Sequence, residues 1–250
     1  MPINYSRRLI GRTRTTAANN HLGIVLAFVA GAINAGGFLA VHQYTSHMTG
    51  IVSSMADHLA LGMYSYAFIG LGALLSFTLG AACCAVMVNY SRRREMHSMY
   101  ALPLLIEAVL LLLFGLVGAR LSAIDGHFVS ITVMLLTFIM GLQNAIITKL
   151  SNAEIRTTHI TGIVTDIGIE LGKLMYWNRA RSSNLTPVLA DRASLKLLSS
   201  LALFFFLGGI TGAVSFKHFG YIATIPLAVA LMALAIAPIF DDMRKFADAA

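Results

Sequence analysis

The sequence predicts an all-α polytopic membrane protein built from two inverted repeats, with about six transmembrane helices and two short re-entrant or broken helices. Its composition is the first reason. Of 250 residues, 57% are hydrophobic and only 12% are charged, and the mean hydropathy is +0.76, so the polar surface is too small to cover a water-facing globule. At roughly 20 residues per span, this apolar content supplies about six crossings and leaves no room for a sizeable soluble domain.

The lengths of the apolar segments are the second reason. Six are long enough to cross a bilayer, and they cover residues 22–41, 64–88, 102–119, 128–149, 195–216 and 221–240. Two weaker segments, 47–61 and 159–171, contain ionisable groups and are shorter than a full crossing needs, so we expect them to be re-entrant. The first long segment exceeds a typical signal-peptide core and is expected to be a retained helix.

These segments predict a simple domain organisation. We expect a basic cytoplasmic N-terminal tail, a first membrane repeat, a second membrane repeat and a cytoplasmic C-terminal tail, at 1–21, 22–119, 128–240 and 241–250. The adjacent Cys83 and Cys84 are the only cysteines, and they lie inside an apolar segment. Neither a disulfide framework nor a thiolate metal site is therefore expected.

The basic residues indicate orientation, because cytoplasmic loops near span ends carry the excess of Lys and Arg. Basic residues cluster in the N-terminal tail and at 92–94, 173–196 and 244–245. If neither short segment crosses, all four clusters are cytoplasmic; if both cross, the 92–94 loop lies outside. We therefore prefer six spans to eight, in a bacterial inner membrane with both termini in the cytoplasm. The net charge of +7 then reflects orientation and contact with anionic lipid headgroups, not nucleic-acid binding.

An internal repeat is the third reason. Gly31-Ala-Ile-Asn34-Ala35 matches Gly141-Leu-Gln-Asn144-Ala145, and Thr45-Ser-His47-Met-Thr49-Gly50 matches Thr157-Thr-His159-Ile-Thr161-Gly162. The spacing is 110 to 112 residues. Apolar composition alone does not place Asn, His, Thr and Gly twice in the same order. With six spans the two copies are inverted in the membrane, as in many secondary transporters that bind substrate at the repeat interface. With eight spans the copies would be parallel.

The stretch T-S-H-M-T-G-I-V at 45–52, preceded by G-A-I-N-A at 31–35, resembles the YoaK-like domain-of-unknown-function family of bacterial inner-membrane proteins. The resemblance extends over most of the chain between residues 22 and 240. The typical family form has Asp in place of Asn34 and Asn in place of Ile51. The resemblance implies fold and membrane localisation, and it implies no particular activity.

The repeated polar residues are the candidate substrate-binding residues. Thr49 and Thr161 are predicted N-caps of the two short helices, whose unpaired N–H groups and positive dipole ends would face the bilayer centre and favour an anion or a carboxylate. Close helix packing by small residues and structural hydrogen bonding are the alternatives. The complete predicted set is Asn34, His47, Thr49, Gly50, Asn144, His159, Thr161 and Gly162.

Acidic residues inside the apolar segments are the candidate proton- or ion-coupling groups, because charge near the bilayer centre is costly. Asp166 is the first candidate, followed by Glu170 and Asp57. Glu170 is also placed to pair with Lys173 near the cytoplasmic surface. Glu107 is expected to be interfacial. No metal site is expected, because the histidines and acids lack a recognised ligand spacing.

We therefore expect a small secondary transporter or permease, not an enzyme, for a small anionic or carboxylate-bearing solute with possible proton coupling and no cofactor. The alternative is a non-transporting integral membrane protein, such as an intramembrane enzyme or a stress or assembly factor. That alternative predicts a closed midplane with the histidines hydrogen-bonded to backbone. Gly208, Gly209 and Gly212 share a helix face and predict close helix packing, within the protomer or across a homodimer.

Overall fold

The computed structural model describes residues 15–96, 99–121, 127–150, 158–177 and 186–247. These residues form eight α-helices and one 3-10 helix and no β-strand. In chain order the helices are α1 (Thr16–Val41), α2 (Met48–Ala60), α3 (Tyr64–Arg93), α4 (Ala101–Leu121), α5 (His127–Leu150), α6 (Ile160–Met175), α7 (Arg192–Phe219), the 3-10 turn Gly220–Ala223, and α8 (Thr224–Ala247).

All six long apolar segments are helical, which confirms an all-α polytopic membrane protein. Within the described residues, four stretches are long and apolar enough to cross a membrane: Thr16–Val41, Tyr64–Arg93, Ile131–Lys149 and Arg192–Arg244. The last stretch contains both α7 and α8, and α4 adds a shorter apolar helical stretch, Ala101–Leu116. The two weaker segments form the short helices α2 and α6, of 13 and 16 residues.

Helix α1 begins earlier than the apolar pattern predicts and continues past Gly36-Gly37. Its start is set by Thr15, whose hydroxyl accepts a hydrogen bond from the Ala18 N–H (3.3 Å). Gly36 and Gly37 do not interrupt the helix. Both glycines are buried within the helix against neighbouring helices, and α1 ends only at His42, which adopts the left-handed conformation (φ 53°).

The most extensive helix contacts join helices of different repeats. The largest packing interfaces join α1 to α7 and α3 to α5, so each repeat's first helix packs on the third helix of the other repeat. The fourth helices, α4 and α8, pack on each other, and each short helix packs on the helix that follows it. Each repeat therefore depends on the other to bury its first helix.

The equivalent first helices α1 and α5 run antiparallel. Near the start of α1, Gln143 Nε2 donates a hydrogen bond to the Leu26 carbonyl oxygen (3.4 Å). Near its end, Gly37 packs against Leu136. A later residue of α5 thus meets an earlier residue of α1, which is the sign of antiparallel packing.

The fourth helices α4 and α8 are also antiparallel. The Thr224 hydroxyl donates to the Leu111 carbonyl oxygen (3.2 Å), while Tyr221, just before α8, packs against Gly118 near the end of α4. Two pairs of equivalent helices therefore run in opposite directions.

Glycines allow the close crossings between repeats. A Cβ atom at Gly31 would overlap the Phe205 carbonyl oxygen, and one at Gly208 would overlap the Phe28 carbonyl oxygen. The α3–α5 crossing has the same arrangement, in which Gly141 and Gly80 meet the carbonyl oxygens of Phe77 and Phe138. Backbones approach this closely only where no side chain intervenes. The predicted packing of the Gly208 cluster is thus confirmed, against α1 within the protomer.

Candidate functional site

The short helices α2 and α6 begin in the same way. Their N-cap residues are His47 and His159, with the first helical residues at Met48 and Ile160. Thr49 and Thr161 lie in the first turn, so the prediction that they are the N-caps is wrong. No side chain caps either start.

The histidine rings explain why a glycine follows three positions after the histidine in both copies. The His47 imidazole lies directly over Gly50, and the His159 imidazole lies over Gly162. A Cβ atom at either glycine would overlap the ring. A residue with no side chain is therefore needed three positions after each histidine if the ring is to remain over the first helical turn.

The repeated asparagines hold the residue that precedes each of the two histidines. Asn34 Oδ1 accepts a hydrogen bond from the Ser46 N–H (3.2 Å), and Asn144 Oδ1 accepts one from the Thr158 hydroxyl (2.5 Å). Ser46 and Thr158 are equivalent positions, one residue before each histidine. The same side chain therefore positions the same part of the chain in both repeats.

The asparagine amide groups differ. Asn144 Nδ2 donates to the Met140 carbonyl oxygen in its own helix (3.0 Å). Asn34 is 9% exposed, and its Nδ2 donates no hydrogen bond to any part of the chain that the structure describes. The site therefore contains an almost buried donor group that is available to a ligand.

Each short helix begins beside its first helix, below the end of that helix. Asn34 lies seven residues before the end of α1, which is about 10 Å along an α-helix. Because Ser46 is bonded to Asn34, α2 begins about two turns below the end of α1. Asn144 lies six residues before the end of α5, so α6 begins in the same relation to α5.

Both helix starts open onto one cavity of about 810 Å³. It is lined by six of the eight predicted binding residues: Asn34, His47, Thr49, Asn144, His159 and Thr161. The other two, Gly50 and Gly162, lie beneath the imidazoles. Residues far apart in the sequence and equivalent in the repeat thus meet in one chamber.

Several lining residues were missed by the sequence analysis. They come from the links, the helix starts and the neighbouring helices: Tyr44, Ser46, Met48, Phe77, Thr148, Thr158, Ile160 and Phe205. Phe77 and Phe205 each belong to a Phe-x-x-Gly motif, which occurs once in each of α1, α3 and α5 and twice in α7. The motif alone does not identify them, because Phe206 also matches it and does not line the cavity.

The candidate coupling acids do not line this cavity. Asp57 and Asp166 are exposed on α2 and α6. Glu170 is 9% exposed and forms a salt bridge with Lys173 (2.6 Å), as predicted, and it also accepts a hydrogen bond from the Asp191 N–H (2.7 Å). The part of the chain that the structure describes holds no group of three or more His, Cys, Asp or Glu placed to bind a metal ion. The coupling role of the acids stays a prediction.

We expect Glu170→Gln to weaken the folded protein near neutral pH and to flatten the acid side of its stability profile. The hydrogen bond from Lys173, followed by that from the Asp191 backbone, lowers the pKa of Glu170. A lowered folded-state pKa stabilises the protein above the ordinary carboxyl pKa, and the gain is lost as pH falls through the lowered value. Melting temperatures of detergent-solubilised wild type and variant between pH 7 and 3 test this. Lys173→Met should remove most of the difference, and persistence of the full difference in that background would contradict the assignment.

Glu107 is the one core residue whose predicted position is wrong. It is fully buried in α4 instead of interfacial, and neither carboxylate oxygen has a hydrogen-bond partner among the described residues. Helix α4 is apolar on every face, so its sequence does not show which residues face the neighbouring helices.

Glu107→Leu is expected to stabilise the folded protein by about 1–3 kcal/mol, because it removes a buried polar group that lacks a partner. Thermal unfolding in detergent measures the effect. Glu107→Gln is the matched control, since it leaves a buried polar group in place and should bring much less gain. A lower melting temperature for the Leu variant would show that the carboxyl group has a stabilising partner.

Comparisons with known proteins show a family and a transmembrane relative. The model of DUF1275, a family of proteins of unknown function, matches residues 22–237. The UPF0700 transmembrane protein YoaK of Bacillus subtilis (strain 168) is 24% identical over 168 residues, which is 67% of this chain and 73% of the relative. No solved structure matches the chain. The resemblance inferred from the Thr-Ser-His-Met-Thr-Gly stretch at 45–50 is thereby confirmed, and the chain belongs to the DUF1275 family.

Proposed function

We propose that the protein is a secondary transporter or permease of the bacterial inner membrane for a small solute that carries an anionic or carboxylate group. The observation that carries the proposal is the single cavity lined by equivalent residues of both repeats, Asn34 with Asn144 and His47 with His159. A binding site at the interface of duplicated halves is typical of secondary transporters. The alternative of a non-transporting protein predicts a closed midplane. Both histidine side chains are instead exposed, and neither imidazole makes a hydrogen bond within the described residues.

The proposal includes an inverted arrangement of the repeats in the membrane. The antiparallel packing of α1 with α5 and of α4 with α8 supports it, because parallel repeats would place these equivalent helices side by side in the same direction. The bonds of Ser46 to Asn34 and of Thr158 to Asn144 place each short-helix start beside its first helix, which supports short helices that re-enter from opposite faces. This arrangement has six spans and both termini in the cytoplasm.

Labelling of single cysteines tests the topology. In a Cys83→Ala/Cys84→Ala background, Arg93→Cys and Leu189→Cys are exposed to an impermeant thiol reagent from each face of the membrane. Both positions are exposed in the structure. Inverted repeats predict labelling of both from the cytoplasmic side. Labelling from opposite sides would instead establish eight spans and overturn this part of the proposal.

The helix starts provide the chemistry for binding an anion. The first intrahelical bonds run from the N–H of Ile51 to His47 and from the N–H of Ile163 to His159 (both 3.1 Å). The three N–H groups that precede each of them have no acceptor within their helix. With the helix dipole, such a terminus attracts an anion. The free amide of Asn34 adds a donor to the same cavity.

The basic segment between α6 and α7 is proposed to lie at anionic lipid headgroups on the cytoplasmic face. Tyr176 and Trp177 follow α6 and are 59% and 81% exposed, as expected for aromatic residues at the membrane interface. Arg179 and Arg181, which the same prediction includes, lie outside the described residues.

Uptake by proteoliposomes tests the function. Small carboxylates supplied under an imposed pH gradient should show saturable uptake, and His47→Ala should weaken the apparent affinity at least about tenfold, which corresponds to about 1.4 kcal/mol. His58→Ala is the matched control, because His58 is on the same helix and does not line the cavity. Asp166→Asn should reduce accumulation driven by the gradient and preserve solute exchange, if Asp166 couples protons. The absence of flux for the whole panel, or equal effects of the two histidine variants, would reject the proposal.

A further inference from the structure

The lining of the 810 Å³ cavity is partly apolar, which a site for an inorganic anion does not require. Beside the polar asparagines, histidines and threonines, its wall contains Phe77, Phe205, Tyr44, Met48 and Ile160. Pockets for small organic ligands measure roughly 300–1,000 Å³ and combine apolar walls with a few polar groups. The size and the lining therefore fit an organic molecule.

The two phenylalanines are held in place by the crossings between repeats. The Phe205 backbone is packed on Gly31 of α1, and the Phe77 backbone is packed on Gly141 of α5. Each ring comes from a third helix and each glycine from the first helix of the other repeat. The aromatic part of the wall is therefore as symmetric as the polar part, and both belong to one site.

The polar part of the wall fits a single negative charge. No Lys, Arg, Asp or Glu of the described residues lines the cavity. Among the described lining residues, the two helix starts supply positive potential, and the unpartnered Asn34 amide and the imidazole groups of His47 and His159 supply polar contacts. Phosphate groups are usually bound with Lys or Arg, and the described lining has neither.

We propose that the solute is an amphiphilic monocarboxylate, whose carboxylate binds at the helix starts and whose aromatic or branched aliphatic body contacts Phe77 and Phe205. This inference rests on the proposed function and narrows it to one solute class. Burial of an apolar body against the rings stabilises such a ligand. A small hydrated anion gains nothing from them.

Ligand binding to the purified full-length protein in detergent tests the inference without a transport assay. Isothermal titration calorimetry compares benzoate with acetate, benzyl alcohol and inorganic phosphate. Benzoate should bind at least about tenfold more tightly than acetate, which lacks the apolar body, and than benzyl alcohol, which lacks the charge. Phosphate should bind more weakly than benzoate.

Substitutions in the cavity wall test whether Phe77 and Phe205 cause the preference for benzoate over acetate. Phe77→Ala and Phe205→Ala should reduce the ratio of benzoate to acetate affinity to nearly one. Phe206→Ala is the matched control, because Phe206 adjoins Phe205, is 63% exposed and does not line the cavity. Phe77→Leu and Phe205→Leu guard against misfolding; they retain bulk and should lower the ratio partially.

The outcomes separate the two proposals. Equal affinities of wild type for benzoate and acetate, or tighter binding of phosphate, overturn the monocarboxylate class and leave anion binding at this site intact. A preference for benzoate that survives both alanine variants also overturns it. If no probe binds and no solute is transported, the proposed function fails together with the inference.

Discussion

Gly31→Ala is expected to destabilise the folded protein by about 3 kcal/mol, at the upper end of the usual cost of overpacking. The added methyl group would overlap the Phe205 carbonyl oxygen and approach the Gly209 backbone nitrogen. Both are backbone atoms of α7, so no side-chain rotation relieves the overlap and the two helices must separate. Gly141→Ala should have the same effect on α3 and α5, because its neighbour is the Phe77 backbone. Thermal unfolding in detergent measures both.

Gly168→Ala and Gly172→Ala are the matched controls. Both glycines lie in α6 and have no atom within 4 Å of an added Cβ. Alanine has a better helix propensity, so each control should be neutral or stabilising by about 0.5–1 kcal/mol. If Gly31→Ala were as mild as these controls, the close crossing of α1 and α7 would be wrong.

Gly50→Ala and Gly162→Ala are expected to abolish most solute binding and to leave the fold intact. Here the added methyl group meets an imidazole, His47 or His159, and not backbone. The ring can rotate away, so the helix keeps its packing and gains up to about 1 kcal/mol in propensity. The displaced ring no longer holds its position in the cavity. We expect at least about a tenfold loss of affinity, or about 1.4 kcal/mol, by calorimetry or by uptake into proteoliposomes.

A double-mutant cycle shows whether Gly50→Ala lowers solute affinity by displacing the His47 imidazole. In a His47→Ala background, Gly50→Ala should cause little further loss, because the displaced group is already absent. An additive loss would mean that the methyl group obstructs the cavity directly. A fall in melting temperature as large as that of Gly31→Ala would contradict the distinction between the two kinds of glycine.

Much of the helical framework could be predicted from the sequence, because long apolar segments bounded by basic loops have few other solutions in a bilayer. The polar part of the site could be predicted as well. Asn34, His47 and their equivalents recur in order, and their recurrence is visible against an apolar background. Apart from the two glycines, the predicted binding residues line one cavity.

The aromatic part of the site could not be predicted in the same way. Phe77 and Phe205 are separated by 128 residues, not by 110 to 112, so they fall outside the register of the polar repeat. Phenylalanines in apolar helices also match by chance. Only the contact of each backbone with a glycine of the other repeat shows that they are equivalent.

Burial and helix starts depend on tertiary contacts that the sequence pattern does not contain. Glu107 lies in a helix with apolar residues on every side, and its burial follows from how α4 packs on α8 and α5. The predicted cap at Thr49 followed the general preference for threonine. In the structure the N-cap is His47, two residues earlier, and its ring lies over Gly50.

The crossing of Gly31 with Phe205 joins positions 174 residues apart in the chain. Until the second half has been synthesised, the native neighbour of the α1 glycine surface does not exist. Assembly of the core therefore waits for nearly complete synthesis. Such long-range closure is slow compared with the docking of successive hairpins, and an isolated first half would retain an uncovered helix face.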